Sequence, residues 1–243
     1  ENAGGKTTLC NLIRGLIPHF YKGKLKGEVT IDGQDLRELD IDILATQIGY
    51  IFQNPFTQIS GVKKSVFEEL ALGMENLGIP KQEIIERVFE IAKVLNIENL
   101  LQNNPNALSG GQRQKVAFAS IIAMDSDTFV IDEPTSQLDP DGTAGIFEII
   151  HTLKEQGKTI ILVEHKINLL AEYADEILVL QGGKLIKKGS TQEVLTDFSL
   201  LDRGVMLPHT ALFYRELEKT GKKLDHVPVT RNDCMKQLRD RLV

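Results

Sequence analysis

The run Gly4-Gly5-Lys6-Thr7-Thr8 opens a helix-like stretch, Leu9 to Leu16, and ends as phosphate-binding loops of the pattern G-x-x-x-x-G-K-[ST] end. Its chemistry would be anion capture. Glycines let backbone N–H groups turn inward around phosphate oxygens, a helix start adds positive potential, Lys6 would reach the terminal phosphates and the Thr7 hydroxyl can ligate magnesium. Asn2 and Ala3 occupy variable positions of that loop. Its first glycine would fall one place before Glu1, and the strand that should precede it is expected to be absent. Alone, the run also fits a glycine-rich turn beside a solvated lysine.

Phe129-Val130-Ile131-Asp132-Glu133-Pro134 has the pattern of a buried strand ending in two carboxylates, which a parallel sheet would place at its carboxyl edge, where α/β ligands bind. One acid can hold magnesium through water, and its neighbour can polarise a water for attack on a γ-phosphate. A strand followed by an acidic turn is the plainer alternative. Leu108-Ser109-Gly110-Gly111-Gln112 precedes a helical stretch, Arg113 to Ala123; Ser109 suits a helix N-cap and the paired glycines expose N–H donors, a second anion-binding helix start. This second start ends 20 residues ahead of Asp132, just one helix away from the paired carboxylates, a spacing that a bland capped turn would match only by coincidence.

These residues need a scaffold, and the composition supplies one. The 243 residues are 42% hydrophobic and 26% charged, a balance that supports a folded core and excludes a largely disordered chain. Lysine and arginine total 28 against 34 acids, a net charge of −6 that argues against coating nucleic acid by bulk charge. Cys10 and Cys234 lie at opposite ends and form neither a C-x-x-C pair nor a zinc spacing, which fits a reducing compartment. The apolar runs are too short to span a bilayer, and Glu1 to Thr8 lacks the order of a signal peptide.

Short β-rich runs at Glu28 to Ile31, Ile48 to Phe52, Thr128 to Ile131, Thr159 to Val163, Glu176 to Leu180 and Lys184 to Lys188 alternate with helical patterns, predicting an α/β core with a parallel sheet. A crossover helix is expected from about Asp141 to Glu155. Between Ser65 and Asn103 the spacing turns helical, with Ile84, Val88, Ile91, Ala92 and Leu95 on one face, and reads as an inserted helical subdomain at about 65–105. Gly182-Gly183 reads as a hairpin turn, and the chain is expected to be helical from Thr191 onward. The resulting organisation is a domain over 1–197 and a C-terminal helical extension over 198–243, with Val205, Leu207, Leu212, Phe213 and Leu217 expected to be buried.

Taken together, the motifs resemble those of the ATP-binding subunits of ABC transporters. Gly5-Lys6-Thr7-Thr8 resembles Walker A, Gln53 in Ile51-Phe52-Gln53-Asn54-Pro55 the Q-loop, Leu108 to Gln112 the signature and Phe129 to Glu133 Walker B. Ser136-Gln137-Leu138-Asp139 resembles the D-loop, with Gln137 in place of the usual alanine, and His165 the switch histidine; Ala3 stands where a glycine is usual. The resemblance implies a P-loop NTPase core that hydrolyses ATP with magnesium in a head-to-tail dimer. It implies Glu133 and His165 as catalytic, Asn2, Ala3, Gly4, Gly5, Lys6, Thr7, Thr8 and Gln53 on ATP, and Thr7, Gln53 and Asp132 at the metal. Ser109, Gly110, Gly111 and Gln112 would meet the partner's nucleotide, beside Asp139 of the D-loop.

A finer likeness is to the energy-coupling factor subgroup that powers vitamin and transition-metal importers. It rests on Gln58 after the Q-loop, on Leu72 to Pro80 and on Gly204 to Pro208 followed by Leu212 to Leu217. Leu16-Ile17-Pro18-His19-Phe20-Tyr21 is similar to the first half of the subgroup's tandem ATPases, leaving open one half of a longer polypeptide. This likeness implies a second ATPase subunit, a transmembrane coupling protein and a substrate-binding membrane subunit as partners, at the cytoplasmic face of the membrane. The alternative is a soluble ABC ATPase acting on a macromolecular complex; the short spacing from Gln53 to Ser109 leaves little room for the coiled-coil insertion common there.

Overall fold

The computed structural model describes residues 4–31, 33–136 and 138–242. The chain forms two compact units, Thr7–Val163 and Glu1–Lys6 with Glu164–Val243. In the first lie helices α1 (Lys6–Ile13, all but its first residue), α2 (Leu16–His19), α3 (Ile41–Gln47), α4 (Val66–Asn76), α5 (Lys81–Val94), α6 (Gly110–Ile122) and α7 (Pro140–Glu155). Its strands are β1 (Thr30–Ile31), β2 (Gln34–Asp35), β3 (Ile48–Ile51), β4 (Thr128–Asp132) and β5 (Thr159–Val163).

β3, β4 and β5 form the expected parallel sheet with β4 in the middle, Ile51 opposite Ile131 and Asp132 opposite Val163. Side chains alternate along a strand, so β4 divides its apolar run between two faces. Phe129 and Ile131 join a core with Val116 and Phe118 of α6 and Ile146, Ile149 and Ile150 of α7. Val130 joins another with Cys10 of α1, Leu44 of α3, and Ile48 and Tyr50 of β3. The fit is tight: a Cβ on Gly49 would sit 2.7 Å from Phe129 Cδ1.

The stretch predicted to be helical carries α4 and α5, whose Val66, Leu70, Met74, Ile84 and Val88 enter the core that α6 and α7 share. Ser65 and Glu68 form a reciprocal capping box at the start of α4. The buried Glu69 accepts from both the backbone N–H and the hydroxyl of Ser60, at 2.6 and 2.7 Å, fastening the preceding loop to this helix.

Several boundaries differ from the sequence reading. The strand expected at Glu28 to Ile31 shrinks to Thr30–Ile31, which turns straight back to pair with Gln34–Asp35. β3 stops at Ile51 because the N–H of Phe52 turns to the Gln58 side chain. The first helix runs over Lys6–Ile13 rather than Leu9 to Leu16, and Gly15, at φ 78°, breaks the chain direction before α2. α6 starts at Gly110, not Arg113. The crossover helix starts at Pro140, because Asp139 caps it and proline suits the first helical position.

The second unit contains β6 (Glu176–Gln181), β7 (Lys184–Ser190), α8 (Ile167–Tyr173), α9 (Thr191–Leu195), α10 (His209–Lys219) and α11 (Arg231–Leu242). β6 and β7 form an antiparallel hairpin whose turn, Gly182-Gly183, has positive φ at both residues, as a twisted two-residue turn requires. Its core joins Ala171, Ile177, Val194, Leu195, Leu200 and Val229. Beyond Thr191 the chain is only intermittently helical: α9 ends at Leu195 and a six-residue 3-10 segment, Phe198–Arg203, leads toward α10. Leu207 is buried as expected, whereas Phe213 is 43% exposed and Ala211 and Tyr214 take the inner face of α10.

Candidate functional site

The register of the parallel sheet assembles the centre of the site. Because Ile51 lies opposite Ile131, Gln53 and Glu133 leave the sheet at the same height, two residues on, and the Gln53 Nε2 donates to Glu133 Oε2 at 2.7 Å. Gln58 braces this exit: its Nε2 donates to the Tyr50 carbonyl at 2.7 Å while its Oε1 accepts from Phe52 N–H. Asp132, last residue of β4, is buried.

Glu133 occupies the left-handed region at φ 48°, a conformation that a non-glycine side chain adopts at a cost. Two contacts hold it there. Its N–H donates to the Val163 carbonyl at 2.9 Å, and the buried Gln114 of α6 donates its amide to the carbonyl of the next residue, Pro134. The chain thereby turns sharply out of the sheet, leaving the Glu133 carboxylate partly exposed beside Gln53.

Asp132 also marks its surroundings electrostatically. The Cys10 thiol of α1 is pushed up to about 12, first by burial and then by the Asp132 charge. Burial and the same charge raise the Tyr50 hydroxyl, which donates to Asn11 Oδ1 of α1 at 3.1 Å. Thr7 and Thr8 are exposed on the first turn of α1.

At the start of α6, Ser109 Oγ accepts from the Gln112 N–H while Gln112 Oε1 accepts from the Ser109 N–H. Gly110 and Gly111 are exposed, and a Cβ on Gly111 would meet nothing within 4 Å, so a bulky anion can approach this helix start. Arg113 ties the loop behind it through the Asn106 carbonyl at 2.8 Å. Asp139 caps α7 by accepting from Gly142 N–H at 2.7 Å.

Gly4, Gly5, Lys6 and His165 belong to the other unit. There the Gly183 N–H donates to the Gly4 carbonyl at 3.1 Å, and Gly5 has φ 97°, so the glycine run bends sharply just before α1. His165 is exposed, and the Glu164 carboxylate accepts from its N–H and from that of Lys166, at 2.8 and 3.1 Å. Asn2, Ala3 and Gln137 lie outside the described residues.

The fold thus joins Gln53 to Glu133 directly, sets Asp132 beside them along β4, and gives Ser109 and Asp139 their own helix starts. The sequence reading missed Gln114, Tyr50, Cys10 and Glu69. Gln114 and Glu69 each carried a signal: a polar residue at a core-facing position of an amphipathic helix must find a partner.

A family profile described as "ABC transporter" matches residues 1–136. An ABC transporter ATP-binding protein of Pyrococcus abyssi is 38% identical over 90% of this chain and 79% of its own length. The energy-coupling factor transporter ATP-binding protein EcfA1 of Lactococcus lactis is 35% identical over 100% of this chain and 85% of its own. Among solved structures, cbiO1 of Clostridium perfringens, part of the ABC transporter complex cbiONQ, superposes with a TM-score of 0.72 at 30% identity, covering 84% of this chain and 79% of its own. Several other relatives are longer proteins, of which the chain spans less than half.

Proposed function

Because the chain belongs to the ATP-binding subunits of ABC transporters and is an ATPase of that family, we propose that it powers an importer of the energy-coupling factor type. Supporting the finer assignment are the likeness to EcfA1 along the whole of this chain and the structural likeness to cbiO1. In this reading the partners are a second ATPase subunit, a transmembrane coupling protein and a membrane subunit that binds a vitamin or a transition-metal ion, and the chain works at the cytoplasmic membrane face. Among the described residues no helix is long and apolar enough to cross a membrane. Residues 1–197 are then the ATPase domain, with its helical subdomain at about 65–105, and 198–243 its extension.

The observation that carries the mechanism is the Gln53–Glu133 contact at the carboxyl edge of the sheet. Lys6 and the amides of Gly4, Gly5, Thr7 and Thr8, with Asn2 and Ala3 before them, bind the phosphates of ATP. Thr7, Gln53 and Asp132 offer a hydroxyl, an amide oxygen and a carboxylate, the hard oxygen donors that magnesium prefers. When bound, magnesium would neutralise charge on the β- and γ-phosphates. Glu133 accepts a proton from the attacking water, Gln53 orients that carboxylate, and His165 contacts the γ-phosphate. Ser109, Gly110, Gly111 and Gln112 complete the partner's site in trans, and Asp139 lies beside that junction.

Glu133→Gln keeps the shape of the side chain and removes its basicity, so hydrolysis should fall by roughly a hundredfold or more while ATP binding persists. ATP should then trap a closed dimer on size-exclusion chromatography. Adding Ser109→Arg should abolish it, and a closed dimer that survives in the double variant would show that the signature does not act in trans. Purifying the protein with its membrane partners tests the importer reading; a soluble macromolecular complex in their place would overturn it.

A further inference from the structure

The helix that follows His165 is held from outside by both C-terminal helices. α8 begins at Ile167, two residues after His165, and carries Asn168 and Glu172, spaced four apart and so on one face. Asn168 Oδ1 accepts from the backbone N–H of His209, the first residue of α10, at 3.0 Å, and Asn168 Nδ2 lies 3.3 Å from His209 Nδ1. Glu172 Oε1 accepts from the backbone N–H of Arg231, the first residue of α11, at 2.9 Å.

Helix starts carry N–H groups that no intrahelical carbonyl can reach, and a nearby side chain usually caps them locally. Pro208, which precedes α10, has no side-chain acceptor, so the cap comes from Asn168, 41 residues upstream in the chain. The negative Glu172 faces the positive end of α11, an orientation the helix dipole favours. The other face of α8 is fastened to the same segment: Ile167, Ala171 and Ala174 pack with Leu200, Val205 and Val229. Polar and apolar faces of one short helix therefore both engage the C-terminal segment, and that helix is the continuation of the His165 turn.

We propose that Asn168 and Glu172 are positioning residues through which α10 and α11 hold α8, and with it His165, in the arrangement that supports hydrolysis. The proposal rests on the reading of His165 as a γ-phosphate contact. Its consequence is that the C-terminal segment acts on turnover and not on nucleotide affinity.

In the full-length protein, Asn168→Ala with Glu172→Ala should lower kcat about tenfold and leave the nucleotide Kd within about twofold, since two caps are lost and no phosphate contact is touched. Asn168→Asp with Glu172→Gln keeps both acceptors and should restore most of kcat. On a His165→Ala background the double alanine change should cost nothing further, because its effect runs through that histidine. Losses that multiply on that background would overturn the proposal, as would an unchanged kcat in the double alanine variant while His165→Ala is impaired. An unchanged kcat in His165→Ala would instead refute the reading of the histidine, and the proposal with it. If circular dichroism shows the double alanine variant unfolded, Arg231→Pro serves in its place. It deletes the donor at a position where proline suits a helix, and a normal kcat there would overturn the role of Glu172.

Discussion

The two units are built on different principles. In Thr7–Val163 a strand buried on both faces anchors the structure: Phe129, Val130 and Ile131 are wholly inaccessible, and helices on both sides share cores with them. In Glu164–Val243 the strand β6 has a similar apolar run, yet Leu178 is 49% exposed and the buried core is small. That unit is instead stitched by side chains reaching backbone groups far along the chain, such as Gln181 to the Arg203 carbonyl, Gln192 to the Val227 carbonyl and Glu172 to the Arg231 N–H. The same composition of strand thus yields a fully covered platform where helices lie on both sides, and a half-exposed one where hydrogen bonds do the holding. The carboxylates Asp132 and Glu133 sit on the platform.

This contrast is open to measurement by chemical denaturation. Phe129→Ala should cost about 3–5 kcal/mol, a core aromatic truncated with no room to relax, whereas Leu178→Ala should stay within about 1 kcal/mol. Equal losses would erase the distinction. Next in size, Gly49→Ala should cost about 1–3 kcal/mol because its methyl would strike the Phe129 ring, and Phe129→Leu in the same chain should recover part of that loss. Ser109→Ala should cost about 1 kcal/mol through the lost capping box, which sharpens the comparison by showing that even the platform relies on a cap at the start of α6.

The smallest effect concerns pH in the stitched unit. Hydrogen bonds from Lys187, then from Ser199, hold the Asp197 carboxyl at about 2, below its ordinary 3.8. A carboxyl lowered by folding stabilises the native state above its unfolded pKa and loses that contribution as it is protonated. The thermal midpoint of the wild type should therefore exceed that of Asp197→Asn above about pH 4, and the gap should close as pH falls toward about 2. A gap independent of pH would assign the effect to packing.

How much of this was legible in the residues follows from the range of the forces involved. β4 was readable because a parallel strand covered on both faces must be continuously apolar, β5 because its run is apolar although the fold leaves it only partly buried, and the Gly182-Gly183 turn because glycines admit positive φ. The glycine-rich run before α1, the Ser109 helix start and the acidic pair Asp132-Glu133 were equally plain as sequence patterns. The Gln53–Glu133 bond was not, since it depends on the register of Ile51 against Ile131, set by packing across strands distant in sequence. The same holds for Gln114 on Pro134 and for Asn168 on His209, each a partner chosen by tertiary approach. The β1–β2 pair escaped notice because two residues per strand leave no periodicity to read.

The two cysteines fall one in each unit, Cys10 on α1 and Cys234 on α11, and both are buried with thiols raised first by burial. Cys10, 1% exposed, meets an alkylating reagent only when its surroundings open, and Cys234, 7% exposed, is largely shielded, so both rates of modification follow local opening. The chain therefore carries its own pair of clocks. The Cys10 clock times the loosening of α1, and with the site proposed above nucleotide should slow it by mass action. The Cys234 clock times the release of the last helix, and the ratio of the two rates reads out how independently the platform and its stitched neighbour breathe.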